Sequence, residues 1–184
     1  GQVVSGTSSN SIQYITYNSY GLVTSSKVFG ELIVATTYIG GMSNKVYGLF
    51  AGGLSTTTSL IDYITFSTLG NAIAWGNLTS TIRSSVGVSD GETQGVFMGG
   101  SGVSNIEYIT FATKGNTTLF GNLTSTKQYG SGVSNKTRAC YISGSNTTTI
   151  DYITYSTTGN ATTFGSCVDG TFNGVGSNPA CSGN

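Results

Sequence analysis

The phrase I-x-Y-I-T occurs four times in this chain, at 12–16, 61–65, 106–110 and 150–154. Aligned on Tyr14, Tyr63, Tyr108 and Tyr152, the copies stand 49, 45 and 44 residues apart. A second landmark, an aromatic followed by glycine, keeps the same phase: Phe29-Gly30, Trp75-Gly76, Phe120-Gly121 and Phe164-Gly165. Gly-Asn precedes the last three of these, at 70–71, 115–116 and 159–160, and Leu32, Leu78, Leu123 and Cys167 follow two residues after the glycine. Upstream of the tyrosine stand VYGLFAGG (46–53), GVFMGG (95–100) and RACYISG (138–144), with a weaker QVVSG at 2–6. A period of about 40–50 residues marks an array or a propeller, in which each unit buries its faces only against its neighbours.

Each period predicts four short strands. The V-F-x-G-G type is the first and I-x-Y-I-T the second. A Gly-Asn turn leads to a third strand ending at the aromatic-Gly pair, and a fourth runs through segments such as 81–88. Gly and Asn supply the positive φ that tight turns need. In 61–66, Ile61, Tyr63 and Thr65 point to one face and Asp62, Ile64 and Phe66 to the other. Both faces are largely apolar, so both should be covered. Blades stacked face to face meet that condition, and four is the lower limit for a propeller. The expectation is an all-β chain: a β-propeller of four blades in one domain over 1–184, with repeats at approximately 1–45, 46–94, 95–137 and 138–184. Part of a larger propeller, a β-solenoid and a β-sandwich are the alternatives.

Composition agrees with strands. Ser, Thr, Asn and Gly make up more than half of the 184 residues, yet Ile, Val, Tyr and Phe recur in short alternating runs, which argues against disorder. Helix formers are sparse. Seven basic and seven acidic residues give no electrostatic footprint for nucleic acid or for an anionic membrane. No apolar run reaches the length of a membrane span and no signal peptide is recognisable. The chain begins at Gly1, which reads as processed or cut from a longer protein.

The order Gly-Gly, strand tyrosine, aromatic before a turn, then Arg or Lys resembles the kelch repeat. The wording IDYIT–STTGNATTFG is similar to kelch-like repeats of marine bacteriophage proteins, cyanophages especially. The resemblance spans roughly residues 1–176. Only 52–53 and 99–100 keep the Gly-Gly doublet, and only Trp75 keeps the kelch tryptophan. It implies a propeller and a phage origin, hence a virion at the extracellular surface. The implied roles are a non-enzymatic structural or adhesion protein, such as a tail-fibre, capsid-fibre or decoration module, or else a lectin-like module that binds host carbohydrate. The implied partners are other virion proteins, further copies of the chain, or a host glycan.

Catalytic chemistry has little to work with. The chain has no histidine, the commonest general base and metal ligand, and no Cys-x-x-Cys or phosphate loop. No cofactor is expected. One constellation stands out: the residue before each repeat tyrosine is Gln13, Asp62, Glu107 or Asp151. Facing a common axis, these four could hold a hard cation such as Ca²⁺ through oxygen ligands. Otherwise each hydrogen-bonds a neighbouring blade's backbone or faces solvent. Tyr17, Tyr20, Tyr38, Tyr47 and Tyr129 fall outside the repeat pattern. On loops they could stack on sugars; in the interior they pack.

The ends leave two questions. Residues 2–6 open the chain in first-strand phase and 178–184 close it in the same phase, giving five first strands for four blades. A propeller completes one blade with strands from both termini, so one strand is surplus. It is either an irregular tail or an added edge strand for a neighbouring subunit. Of three cysteines, Cys167 and Cys181 lie in the divergent last repeat. A disulfide between them would contribute roughly 3 kcal/mol in an oxidising setting. Cys140 is left over or pairs with Cys181 instead, and in a reducing setting all three are small apolar residues.

Overall fold

A computed structural model describes residues 9–17, 20–21, 23–54, 58–145 and 147–168. The described residues form 14 strands and no helix. The first sheet pairs β1 (Ser9–Tyr17) with β2 (Val23–Thr36). The second contains β3 (Gly40–Ser43), β4 (Tyr47–Ala51), β5 (Leu60–Thr65) and β6 (Ile73–Asn77). The third contains β7 (Val86–Ser89), β8 (Gln94–Met98), β9 (Asn105–Thr110) and β10 (Thr118–Asn122). The fourth contains β11 (Ser131–Ser134), β12 (Arg138–Ile142), β13 (Thr149–Thr154) and β14 (Thr162–Ser166). Every pair is antiparallel and every sheet runs in chain order.

The I-x-Y-I-T phrase is the third strand in each four-stranded sheet, and in the second sheet it is covered on both faces as expected. Ile61, Asp62, Tyr63 and Ile64 are all buried on β5. The 81–88 segment differs from expectation. Its strand, β7, pairs with β8 and opens the third sheet; it does not finish the second. Connection length explains this. Residues 90–93 between β7 and β8 turn back as a hairpin, whereas 78–85 between β6 and β7 cross to the next sheet.

The core lies in three layers between successive sheets. Leu32, Ile64 and Ala72 join the first and second sheets; Ile61, Trp75, Phe97 and Phe111 the second and third; Ile106, Phe120, Tyr141 and Ile153 the third and fourth. The opening strands β3, β7 and β11 converge, with β7 packed against both others.

One clasp is repeated at all three junctions. The Gly-Asn turn of each four-stranded sheet sits on the outer strand of the sheet before it. Asn71 Oδ1 accepts from the Glu31 N–H (3.1 Å), Asn116 Oδ1 from the Asn77 N–H (3.0 Å) and Asn160 Oδ1 from the Asn122 N–H (3.0 Å). Backbone bonds flank them: Ala72, Thr117 and Ala161 N–H donate to Glu31, Asn77 and Asn122 carbonyls. The glycine of each aromatic-Gly pair makes the fit possible. A Cβ on Gly30, Gly76 or Gly121 would lie 1.9, 2.1 or 2.0 Å from the carbonyl oxygen of Gly70, Gly115 or Gly159. The turn glycines have φ of 156°, 154° and 155°, where a side chain is strained. Replacing Gly121 by Ala should therefore destabilise by roughly 3 kcal/mol, the upper part of the overpacking range. Ser125→Ala, on the exposed segment beyond, should change stability by less than about 0.5 kcal/mol. Urea unfolding of the two variants checks the contrast.

Candidate surface at the converging strands

The ends of β3, β7 and β11 and the turns that follow them surround an open depression of about 530 Å³. Each turn is held by one Asx side chain. Asn44 Oδ1 accepts from Val46 and Tyr47 N–H (both 2.8 Å), Asp90 Oδ1 from Glu92, Thr93 and Gln94 N–H (2.8, 2.8 and 3.1 Å), and Asn135 Oδ1 from Thr137 and Arg138 N–H (2.8 and 2.9 Å). Such local bonds preorganise the turns. Serine hydroxyls stitch the strands: Ser89 Oγ donates to the Ser43 carbonyl and Ser134 Oγ to the Ser89 carbonyl.

Glu92 lies between two cations, with Lys45 Nζ at 3.1 Å and Lys136 Nζ at 3.2 Å. Hydrogen bonds from Lys45 and Lys136, and then their charge, hold its carboxyl below the usual range. Burial raises Asp90, but the Thr93 hydroxyl and the turn N–H groups outweigh it and leave its pKa lowered. The surface thus presents paired charges, amides, hydroxyls and glycine backbone. It is suited to hydrogen-bonding a polar, neutral partner.

The residues singled out before the repeat tyrosine do not meet. Asp62 Oδ2 accepts from Ile33 N–H at 3.0 Å, Glu107 Oε2 from Thr79 N–H at 2.9 Å and Asp151 Oδ2 from Thr124 N–H at 3.0 Å. Each carboxylate reaches the outer strand's continuation in the preceding sheet, so the three sit at three separate junctions. Gln13 is exposed on β1. Among the described residues no group of three or more Cys, Asp or Glu is placed to hold a metal. The tyrosine and aromatic landmarks pair within their sheets, edge to face: Tyr14–Phe29, Tyr63–Trp75, Tyr108–Phe120 and Tyr152–Phe164, at 5.4–6.1 Å between centroids. Lys114, from the next sheet's turn, lies 4.0 Å from the Tyr63 ring centroid.

The remaining tyrosines divide. Tyr47 packs against Tyr63 and Trp75. Tyr38 and Tyr129 form a pair 5.8 Å apart ahead of β3 and β11, at the ends opposite the depression. Both have φ near 58°, as does Ser84 ahead of β7, so the three hold one repeated position. Tyr20 is 87% exposed, and the Tyr17 side chain lies outside the described residues. Cys140 and Cys167 form no disulfide with each other among the described residues; Cys181, the expected partner of Cys167, lies outside them.

Sequence reasoning missed Lys127. Its ammonium pairs with Asp151 Oδ2 at 2.9 Å, with both side chains 0% exposed, and also donates to the Thr149 carbonyl. The phase held the signal, because Lys127 stands where earlier repeats have Thr36 and Ile82. Neither a family model nor a curated protein sequence matches the chain.

Asp151→Asn leaves Lys127 buried without its counter-charge and should cost about 3–5 kcal/mol in chemical unfolding. Asp62 has the opposite sign. Burial, partly offset by the Ile33 N–H, raises its pKa above 3.8. The folded state then holds this proton more tightly than the unfolded state, so its contribution to stability falls as pH rises through that interval. Asp62→Asn keeps an acceptor for Ile33 without the charge. It should raise Tm at pH 7 and do less near pH 3; thermal melts at both values check the sign.

Proposed function

We propose that the protein is a four-bladed kelch-like β-propeller that serves as a non-enzymatic structural or adhesion component of a bacteriophage virion. The observation that carries this reading is the clasp repeated at three junctions. It joins the sheets into a stiff body, and the three central carboxylates are engaged in holding it. The charged groups at the depression neutralise one another and are bound into turns. A body of this kind displays short loops in fixed positions, and its partners are other virion proteins or further copies of itself. The phage assignment is supported by the resemblance of the repeat wording. Antibodies to the chain should label the surface of intact phage particles in electron microscopy. Labelling of disrupted host cells alone, or hydrolysis of a polysaccharide by the purified chain, would overturn the reading.

A second reading is favoured by the depression itself. Asn135, Ser89, Ser134, Lys45 and Lys136 line it, and they offer donors and acceptors of the kind that recognise sugar hydroxyls. The protein would then be a lectin-like module for host surface glycans. Hits on a glycan array that survive Ser125→Ala and disappear on Lys136→Ala would support it; an array without hits would oppose it.

A further inference from the structure

The three junction carboxylates are built to one plan, and the differences between them point to a site. Three positions of the plan, each in the same phase, surround the carboxylate. The first holds Ile33, Thr79 and Thr124, whose N–H groups bond Asp62, Glu107 and Asp151. The second holds Thr36, Ile82 and Lys127, and the third Ala72, Thr117 and Ala161. Glu107 also receives the hydroxyls of Thr79 and Thr117. Asp151 receives the Thr124 hydroxyl and the Lys127 ammonium. At the first junction Ile33 and Ala72 have no donor side chain, which leaves Thr36. Among the described residues the Thr36 hydroxyl bonds only the Thr37 carbonyl, at a long 3.4 Å. Asp62 is 6% exposed; its Oδ2 accepts from Ile33 N–H, and no described residue hydrogen-bonds Oδ1.

A cavity of about 10 Å³ lies at this point, lined by Asp62, Thr36, Gly52, Thr58 and Leu60 among otherwise apolar side chains. That is about the smallest volume that admits one water-sized occupant. Its polar wall matches the surroundings of the Lys127 ammonium. That ammonium donates to the Thr149 carbonyl as well as to Asp151, and Leu60 is the counterpart of Thr149. The two carbonyls are held alike: Gly52 N–H donates to Leu60 at 3.2 Å and Ser143 N–H to Thr149 at 3.1 Å. Thr36 stands where Lys127 does, but it is too short to bring a charge to the carboxylate.

We propose that the cavity beside Asp62 binds one monovalent cation no larger than a water molecule, of the class of ammonium, sodium and potassium, in the place that the Lys127 ammonium holds at Asp151. One carboxylate in an apolar wall is neutralised by a single positive charge. A divalent ion would call for further carboxylates, and among the described residues no group of three or more Cys, Asp or Glu is placed to hold a metal. Asp62 Oδ1 and the hydroxyls of Thr36 and Thr58 are oxygen ligands of the kind a hard cation takes. A water molecule there would supply hydrogen bonds and leave the buried charge unpaired. The ion ties the first sheet to the second as Lys127 ties the third to the fourth. This inference goes beyond the proposed function and does not depend on it.

Thermal melts of the full chain at pH 7, in chloride salts at one fixed ionic strength, test the site. Tetramethylammonium is too large for the cavity. Exchanging it for ammonium, sodium or potassium should raise Tm by about 3 °C with at least one of the three, and the rise should saturate with concentration. Asp62→Asn should abolish the rise. Thr36→Val keeps the volume and removes the hydroxyl; it should raise the half-saturating concentration at least about threefold. Equal melting in all four salts would overturn the site and leave Asp62 to a proton or a water. A rise that survives Asp62→Asn, or a half-saturation that Thr36→Val does not move, would overturn it too, because the ion would then bind elsewhere.

Discussion

The fit of one backbone carbonyl into the space where a side chain would be governs this molecule. At Gly30, Gly76 and Gly121 the oxygen of the next sheet's turn glycine lies about 2 Å from the position of a Cβ. No L-residue with a side chain could stand there without displacing the neighbouring sheet. The contact fixes the spacing of the sheets, and it brings the Asn71, Asn116 and Asn160 side chains to the edge amides they cap. It also explains why the chain writes the same words again. A sheet with two apolar faces has no stable existence alone. Each copy must carry both halves of the clasp, the turn that enters and the glycine that receives.

The carboxylates show how one position can serve a shared purpose with different local chemistry. Asp62, Glu107 and Asp151 each accept an N–H from the preceding sheet, so the geometry is common. The surroundings are not. Thr79 and Thr117 hydroxyls surround Glu107, whereas Asp151 gains Thr124 and the buried ammonium of Lys127. Among the described residues Asp62 has neither, and none of them hydrogen-bonds its buried Oδ1. A buried carboxylate with one partner is costly as an anion, which is why its pKa moves up. The junction between the first and second sheets is in this respect the least satisfied of the three.

Much of the fold was legible because strand periodicity and turn chemistry are local. The apolar content of both faces of I61-D-Y-I-T-F66 announced a covered strand, and β5 is covered. The Gly-Asn pairs announced positive φ, and the turn glycines have it. What was not legible depended on which of two connections turns back. Segment 81–88 has no mark of its own that assigns it to the sheet before or after; the short Asp90-capped turn decides it. The ring of Gln13, Asp62, Glu107 and Asp151 had the same difficulty. A residue's phase in a repeat says that copies are equivalent, but not whether they face a common axis or each face a neighbour. Tyr38 and Tyr129 seemed irregular because Ser84 holds the position between them, and a period is hard to see when its middle member is small.

Alternation along the strand resolves the direction of those carboxylates. Side chains of successive strand residues point to opposite faces, so the residue before the repeat tyrosine must face the sheet that the tyrosine does not. In a stack of sheets, both faces of a central strand meet neighbours. A carboxylate at that position is therefore committed to a junction, and its hydrogen-bonding capacity is spent on edge amides that would otherwise be buried without partners. The turns after β3, β7 and β11 project from the strand ends, away from the sheet junctions. There the three sheets differ most, with N44-K-V, D90-G-E-T and N135-K-T in equivalent places. Sheet contacts demand sameness and turn tips do not, so the tips are where the three sheets can differ without disturbing the junctions.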